Sequence, residues 1–356
     1  MSAIKGRGAP INLESSRFRL PGREADGDWL DRALADEEDA PPPLRTTVTV
    51  ETPRTIITRN NSPDVGFEQS INAYRGCEHG CIYCFARPSH ARLDLSPGLD
   101  FESKLFVKPT AAELLRKELA KPRYEVKTIA MGTNTDPYQP LEGKWRITRS
   151  ILEVLAECRH PVMITTKSDR VVRDIDILAP MAAQELTAIA LSVTSLDPAL
   201  HRALEPRATR PAKRLAAIKA LSDAGIPVHA SISPIIPAIN DHEIEALVAA
   251  AAEAGARSVS FIPVRLPFEV APLFRAWLQE HFPDRATKVM SQIRDIRGGA
   301  DNDPDFGSRM RGQGAYAALI RTRFEKAKRK AGLAGGRISL RKDLFVPPSG
   351  AQGRLF

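Results

Sequence analysis

Cysteine is scarce in this chain, with four in 356 residues. So few thiols exclude the disulfide framework of a small secreted protein. Long apolar runs are missing too: none approaches the ~18 residues of a membrane span. No membrane partner is therefore expected. The opening Met-Ser-Ala-Ile-Lys-Gly-Arg-Gly has no apolar signal-peptide core. These absences predict a cytoplasmic protein whose thiols are kept reduced and available to metal. No internal repeat is visible. Excess negative charge is lacking as well: the net charge is +8, and the isoelectric point is about 9.4. That balance favours polyanionic partners, DNA or RNA.

What cysteine there is lies concentrated. Cys77, Cys81 and Cys84 follow a C-x3-C-x2-C spacing, with the aromatic Tyr83 just before the third. Three thiolates can hold three irons of a cubane [4Fe–4S] cluster and leave the fourth iron open. An open iron can chelate a small molecule, which makes such a site reactive rather than only structural. Zinc is the competing reading and needs a fourth ligand, for which Cys158, His79 and His90 are the candidates. Cys158 lies in a helical pattern far along the chain and reads as a small buried hydrophobe.

The chain divides into four stretches. Residues 1–60 read as an N-terminal extension, partly disordered, with an acidic segment Ala25–Ala40 running into Pro41-Pro42-Pro43. Trp29, Leu30 and Leu34 could form a short docking helix there. Residues 61–265 alternate β-branched runs with amphipathic helices. The predicted strands are Gln69–Tyr74, Val126–Met131, Pro161–Thr166, Leu186–Val193, Pro227–Ser233 and Arg257–Pro263. The predicted helices are Ala111–Ala120, Thr148–Cys158, Val171–Leu178, Ala212–Ala224 and His242–Ala254. Leu215, Ile218 and Leu221 carry the helical period in the fourth, and Gly225 then Pro227 end it. This alternation implies a parallel sheet of the α/β class, a partial (β/α)6 barrel. Chemistry in such barrels sits at the C-terminal ends of the strands, and the cysteine loop follows the first strand. Residues 266–345 read as a helical, basic C-terminal region. Arg321–Lys342 sets nine Lys and Arg against Glu325 alone, either a phosphate-facing surface or a solvated one. Residues 346–356 read as a flexible tail.

The cysteine motif resembles that of the radical S-adenosylmethionine (SAM) enzymes. The resemblance implies a [4Fe–4S] cluster on Cys77, Cys81 and Cys84, and SAM chelated by the open iron. It implies reductive cleavage of SAM to a 5′-deoxyadenosyl radical that abstracts hydrogen from substrate. A flavodoxin- or ferredoxin-type protein would donate the electron. Arg75-Gly76-Cys77, the segment Thr133 to Glu142, Ile164 to Lys167, Leu191 to Val193 and Leu204 to Arg207 narrow the likeness. They resemble spore photoproduct lyase and its "DNA repair photolyase" relatives. By position, Lys167 matches a lysine on the SAM carboxylate, a suitable point charge for that group. Ser192 matches a serine near the amino acid or ribose of SAM. Asn134 and Asp136 are placed to accept from its amine or ribose hydroxyls. Arg214 opens the next helix in a comparable place, Tyr83 belongs to the cysteine motif, and Ile235-Ile236-Pro237 sits where adenine is gripped. Glu205 is either a SAM contact or half of an ion pair.

Two departures stand out. Met131-Gly132 occupies the place where that lyase has a hydrogen-donating cysteine, and Phe85 stands where it has a tyrosine. The lyase's radical-quenching relay is therefore expected to be missing. The final residues, Gln352 to Phe356, resemble a sliding-clamp-binding peptide. Its Leu355 and Phe356 would fill an apolar pocket. The sequence thus favours a radical SAM enzyme acting on nucleic acid, with DNA lesions favoured. Radical SAM modification of RNA, protein or a small metabolite, and a non-catalytic Fe–S redox or DNA-binding module, are the competing functions.

Overall fold

The structure is a computed structural model that describes residues 6–13, 15, 17–18, 44–333 and 338–348. The acidic segment, the proposed docking helix around Trp29 and the Gln352–Phe356 peptide lie outside the described residues.

The chain enters through two short strands, β1 (Thr47–Val50) and β2 (Ile57–Arg59). β3 (Gln69–Ile71) begins the central sheet, and β4 (Tyr74–Arg75) and β5 (Lys104–Val107) flank the cysteine loop. Strand–helix alternation then takes over. The order is α1 (Ala111–Leu119), β6 (Ile129–Met131), α2 (Ile147–Glu157), β7 (Val162–Thr166), α3 (Ile175–Ala183) and β8 (Thr187–Ser192). Then come α4 (Pro211–Asp223), β9 (Val228–Ile235), α5 (Ile244–Glu253) and β10 (Ser258–Pro263). A helical region follows: α6 (Val270–His281), α7 (Ala286–Asp295), α8 (Ser308–Arg311) and α9 (Gly314–Lys330).

The large sheet has the order β10-β9-β8-β7-β6-β3-β2. Pairings from β3 through β10 are parallel, and β2 joins β3 antiparallel. The six predicted strands are these parallel ones, and the five predicted helices are α1 to α5 within a few residues. The sheet is covered by helices, so its central strands read as unbroken buried runs: every residue of β8 is buried. α2 buries Ile147, Ile151, Leu152, Val154 and Leu155, a stripe at helical spacing.

The first predicted strand proves to be two. Gln69–Ile71 pairs in the large sheet, whereas Tyr74–Arg75 turns into a second sheet of order β1-β5-β4. The small sheet includes Thr47–Val50 from the stretch read as an extension. Alternation within one segment cannot reveal that its two halves find different partners. None of the helices formed by the described residues is long and apolar enough to cross a membrane.

Two large apolar clusters divide the interior, and a small third one holds Cys77, Ala86 and Phe101. One fills the space between the large sheet and α1 to α5 and includes Cys158. The other lies under the cysteine loop, where Cys81, Ile82 and Tyr83 pack with Leu204, Phe274 and Trp277. Trp277 also donates through its indole N–H to the Ala203 carbonyl at 2.9 Å. The C-terminal helical region is therefore joined to the mouth of the barrel at α6.

Candidate active site

The cysteine loop leaves β4 through Gly76, whose φ is +73°. A side chain there would meet Leu105 at 2.5 Å and the Phe101 carbonyl at 2.8 Å, so only glycine fits. Thr135 and Gln139 hold the Gly76 carbonyl at 2.6 and 3.2 Å. Cys77 donates its backbone N–H to Phe101 at 2.9 Å. A fully buried cation, Arg87, stitches the far side. It donates to the carbonyls of Gly80, Cys81, Pro97 and Gly98 and pairs with Glu102 at 2.5 Å. Glu102 in turn accepts the backbone N–H groups of Gly8 and Ala9 at 2.9 and 2.8 Å. The extreme N-terminal residues thus clamp the loop, which no local sequence signal revealed.

Cys77 and Cys81 are buried and Cys84 is half-buried. Burial pushes the Cys77 thiol well up, and Asp136, Cys81 and Cys84 add to it. Cys81 is raised by burial and by Glu205, with Lys167 opposing. Without a metal, the Cys77 and Cys81 thiols are thus held in their protonated form, and a cluster iron would have to displace those protons. Among the described residues no three His, Cys, Asp or Glu side chains converge as a single metal ion requires. A cubane makes a different demand, because each thiolate binds its own iron. The zinc candidates are also engaged or distant. His79 faces Asp136 at 3.3 Å, His90 meets the Lys104 carbonyl at 2.9 Å, and Cys158 lies just before β7, at the other end of that strand. Burial raises the Cys158 thiol to about 11. The donor set therefore fits a three-thiolate cluster.

The C-terminal ends of the neighbouring strands face this loop. After β7 comes Lys167. Burial works against its charge, yet Cys81 and Glu205 outweigh it and raise its pKa. Its ammonium stands 5.9 Å from the Tyr83 ring centre and has no carboxylate within ion-pair distance among the described residues. After β6 comes Asp136. Burial alone would raise this carboxyl, but His79 and the donors around it bring it down to about 2. Those donors are the Lys167 N–H (2.7 Å), the Thr166 hydroxyl (2.7 Å) and the Tyr138 N–H (2.9 Å). Both Asp136 oxygens are thus occupied by protein groups, and the residue orients the Lys167 backbone.

A second carboxylate, Glu205, gathers Tyr83, Thr194 and Arg214. His201 stands 3.4 Å away. Burial opposes ionisation of Glu205, but Arg214, His201 and Lys167 hold it well below the usual range. Arg214 is buried, and it also donates to the Ser192 and Thr209 carbonyls at 3.0 and 2.6 Å. This ion pair ties the cysteine loop, through Tyr83, to the end of β8. The Tyr83 hydroxyl is consumed by it, and burial with Glu205 raises its pKa well up. Ser192 is buried at 3% exposure, and its hydroxyl has no partner among the described residues. Asn134 is half-buried; its N–H donates to Asn72 at 3.0 Å, and its side-chain amide is free of partners among the described residues.

Two expectations change here. Ile235, predicted to grip adenine, has no exposed surface and belongs to the inner cluster. Its carbonyl accepts from Val264 at 2.9 Å. As the last residue of β9 it points its side chain into the core, which leaves its backbone as the part that could meet a ligand. The basic C-terminal stretch, read as either a phosphate-facing or a solvated surface, leads away from the site. α9 starts beside the mouth, where Tyr316 donates to Asp241. It ends near His229, at the start of β9, whose pKa burial and Lys328 both lower. The arm beyond bonds Arg341 to the Glu185 carbonyl and Val346 to the Cys158 carbonyl, both at 2.9 Å. Both carbonyls precede strands, so the arm crosses the end opposite the cysteines.

A family model described as the radical SAM superfamily matches residues 71–251. An uncharacterized protein of Mycobacterium tuberculosis is 37% identical over 238 residues, covering 66% of this chain and 69% of its own. One of Methanocaldococcus jannaschii is 32% identical over 178 residues, covering 50% and 64%. Among solved structures, a spore photoproduct lyase variant with dinucleoside spore photoproduct aligns with a TM-score of 0.54 at 16% identity. It covers 89% of this chain and 86% of that one. A second variant aligns with a TM-score of 0.52, also at 16%. At that identity the likeness is one of fold.

Proposed function

Because this chain belongs to the radical SAM superfamily, we propose that it is a radical SAM enzyme acting on nucleic acid, with a DNA lesion as the favoured target. The observation that carries this reading is the pairing of three clustered cysteines with a charged cup at the strand ends. Cys77, Cys81 and Cys84 would hold a [4Fe–4S] cluster, which, once reduced by an external one-electron donor, would supply the electron for reductive cleavage of bound SAM.

The residues of the chain do the rest. Lys167 presents a cation without a carboxylate partner and takes the carboxylate of SAM. The free Asn134 amide and the Ser192 hydroxyl bond its amine and ribose. Asp136 sets the Lys167 backbone, and the Glu205–Arg214 pair fixes Tyr83 and the floor of the cup. Burial of these groups excludes water, which protects a reactive radical. Met131, buried in β6, stands where the resembled lyase carries a hydrogen-donating cysteine, so hydrogen return follows another route.

The test is anaerobic formation of 5′-deoxyadenosine by the reduced, cluster-reconstituted protein, first with SAM alone and then with UV-irradiated DNA. Stimulation or lesion loss with irradiated DNA supports the full reading. Cleavage indifferent to DNA keeps the radical chemistry and removes the substrate. No cleavage with a full cluster removes the enzyme.

A further inference from the structure

Beyond β10 the chain exposes large aromatic rings at the mouth. Phe268 is 64% and Phe306 62% exposed. Each is backed on one face by an arginine: Arg17 lies 4.3 Å over Phe268, and Arg309 lies 4.5 Å over Phe306. Each arginine is anchored by a carboxylate, Arg17 on Glu269 at 2.7 Å and Arg309 on Asp64 at 2.5 Å. The rings are therefore fixed from behind. Burying such rings elsewhere would have been cheaper in water.

Phe268 also has φ of +49°, a left-handed conformation in which a bulky residue is an outlier. Arg17 further donates to the Pro88 carbonyl at 2.9 Å, four residues past Cys84. The Phe268 ring thus stands beside the cysteine loop. Arg265, three residues before Phe268, reaches Met310, four residues after Phe306. Its Nε is buried without a partner, and one terminal nitrogen meets only the Met310 sulfur at 3.4 Å. Arg297 locks the two segments together, donating to Pro263 at 2.6 Å and to Arg309 at 2.7 Å.

We propose that Phe268, Arg265 and Phe306 form an aromatic–cation–aromatic strip that binds an unpaired dinucleotide step of a nucleic acid, base on ring and phosphate on guanidinium. The proposal rests on the nucleic-acid reading above and says where the strand lies. Aromatic faces accept any base, and arginine supplies the phosphate contact. An under-bonded, half-buried guanidinium gains donors' worth of partners when a phosphate arrives. On this reading the strand runs along the mouth, away from the basic end of α9.

The test is binding of short fluorescein-labelled single strands and duplexes to the anaerobic full-length protein, without SAM. DNA and RNA of one sequence show which sugar is accepted. Phe268→Ala and Phe306→Ala should each weaken single-strand binding ~10-fold. Arg265→Gln should lower the salt slope by about 0.7. A Lys326→Gln, Arg329→Gln, Lys330→Gln triple variant should bind as the parent does. Thermal melting and cluster absorbance identify any variant that fails to fold; Phe268→Leu then replaces Phe268→Ala. Wild-type binding that the strip variants leave intact, or that the triple variant abolishes, overturns the strip while the nucleic-acid reading stands. No wild-type binding to any strand overturns both.

Discussion

The two ends of the barrel use charge in opposite ways. At the mouth, Lys167, Arg214, Asp136 and Glu205 are drawn out of water, and Lys167 is left without a carboxylate. Along α9, and on the arm that crosses the base, the cations are exposed or paired across the surface. Arg323 meets Glu245 at 2.6 Å and Arg341 meets Asp343 at 2.6 Å. The base is closed by an apolar plug in which Phe345 packs on Tyr124 and His160. Buried charge is costly unless paired, so an end that carries it without full pairing is built for something that arrives. Exposed pairs contribute ~0–1 kcal/mol and call for no ligand. The densest run of basic residues in the sequence therefore lies away from the buried charges of the mouth.

The comparison can be broken in order of effect. Cys77→Ala, Cys81→Ala or Cys84→Ala should each abolish the absorbance of a reconstituted cluster and all 5′-deoxyadenosine formation. Retention of a full cluster in any of them would overturn the ligand assignment. Next, Glu102→Ala leaves Arg87 buried and uncompensated. It should destabilise the protein by about 3–5 kcal/mol, read as a lower denaturation midpoint; an unchanged midpoint would show that the N-terminal clamp is not structural. Lys167→Ala should keep the cluster and raise the SAM dissociation constant by about 10- to 100-fold, checked by equilibrium binding. Binding unchanged in that variant would erase the distinction between an open and a satisfied cation.

The smallest effect belongs to the base. Burial lowers His160 to about 4, so the folded state prefers its neutral form. The stability this gives is complete above about pH 6.5. It is lost as pH falls from there through 4. Hydrogen exchange at the Val346 N–H, which bonds Cys158, should quicken over that window while the mouth holds. Exchange that is flat with pH would detach the arm from His160.

The cysteine loop was legible because metal chemistry demands particular residues at a particular spacing, and because strand–helix alternation placed the loop after a first strand. Lys167 and Ser192, singled out through the resemblance, stand at the ends of β7 and β8 on the same edge as the cysteines. The burial of the Ile235 side chain was not legible, because an apolar residue at a strand end has two faces available and only packing chooses between them. Arg87, Glu102 and the Gly8–Ala9 clamp were invisible: their partners lie far apart in sequence, and no periodicity links them. The Phe268 and Phe306 strip was equally hidden, since an apolar residue in a loop is silent about its exposure.

By itself the sequence determined the six parallel strands, the helices between them and the clustering of three cysteines after the first strand, because these follow from local periodicity and residue spacing. Tertiary structure alone decided which charges are buried, which aromatics are exposed and toward which end the basic segment runs. Those depend on what surrounds each side chain, and burial sets the cost of a charge far more than identity does.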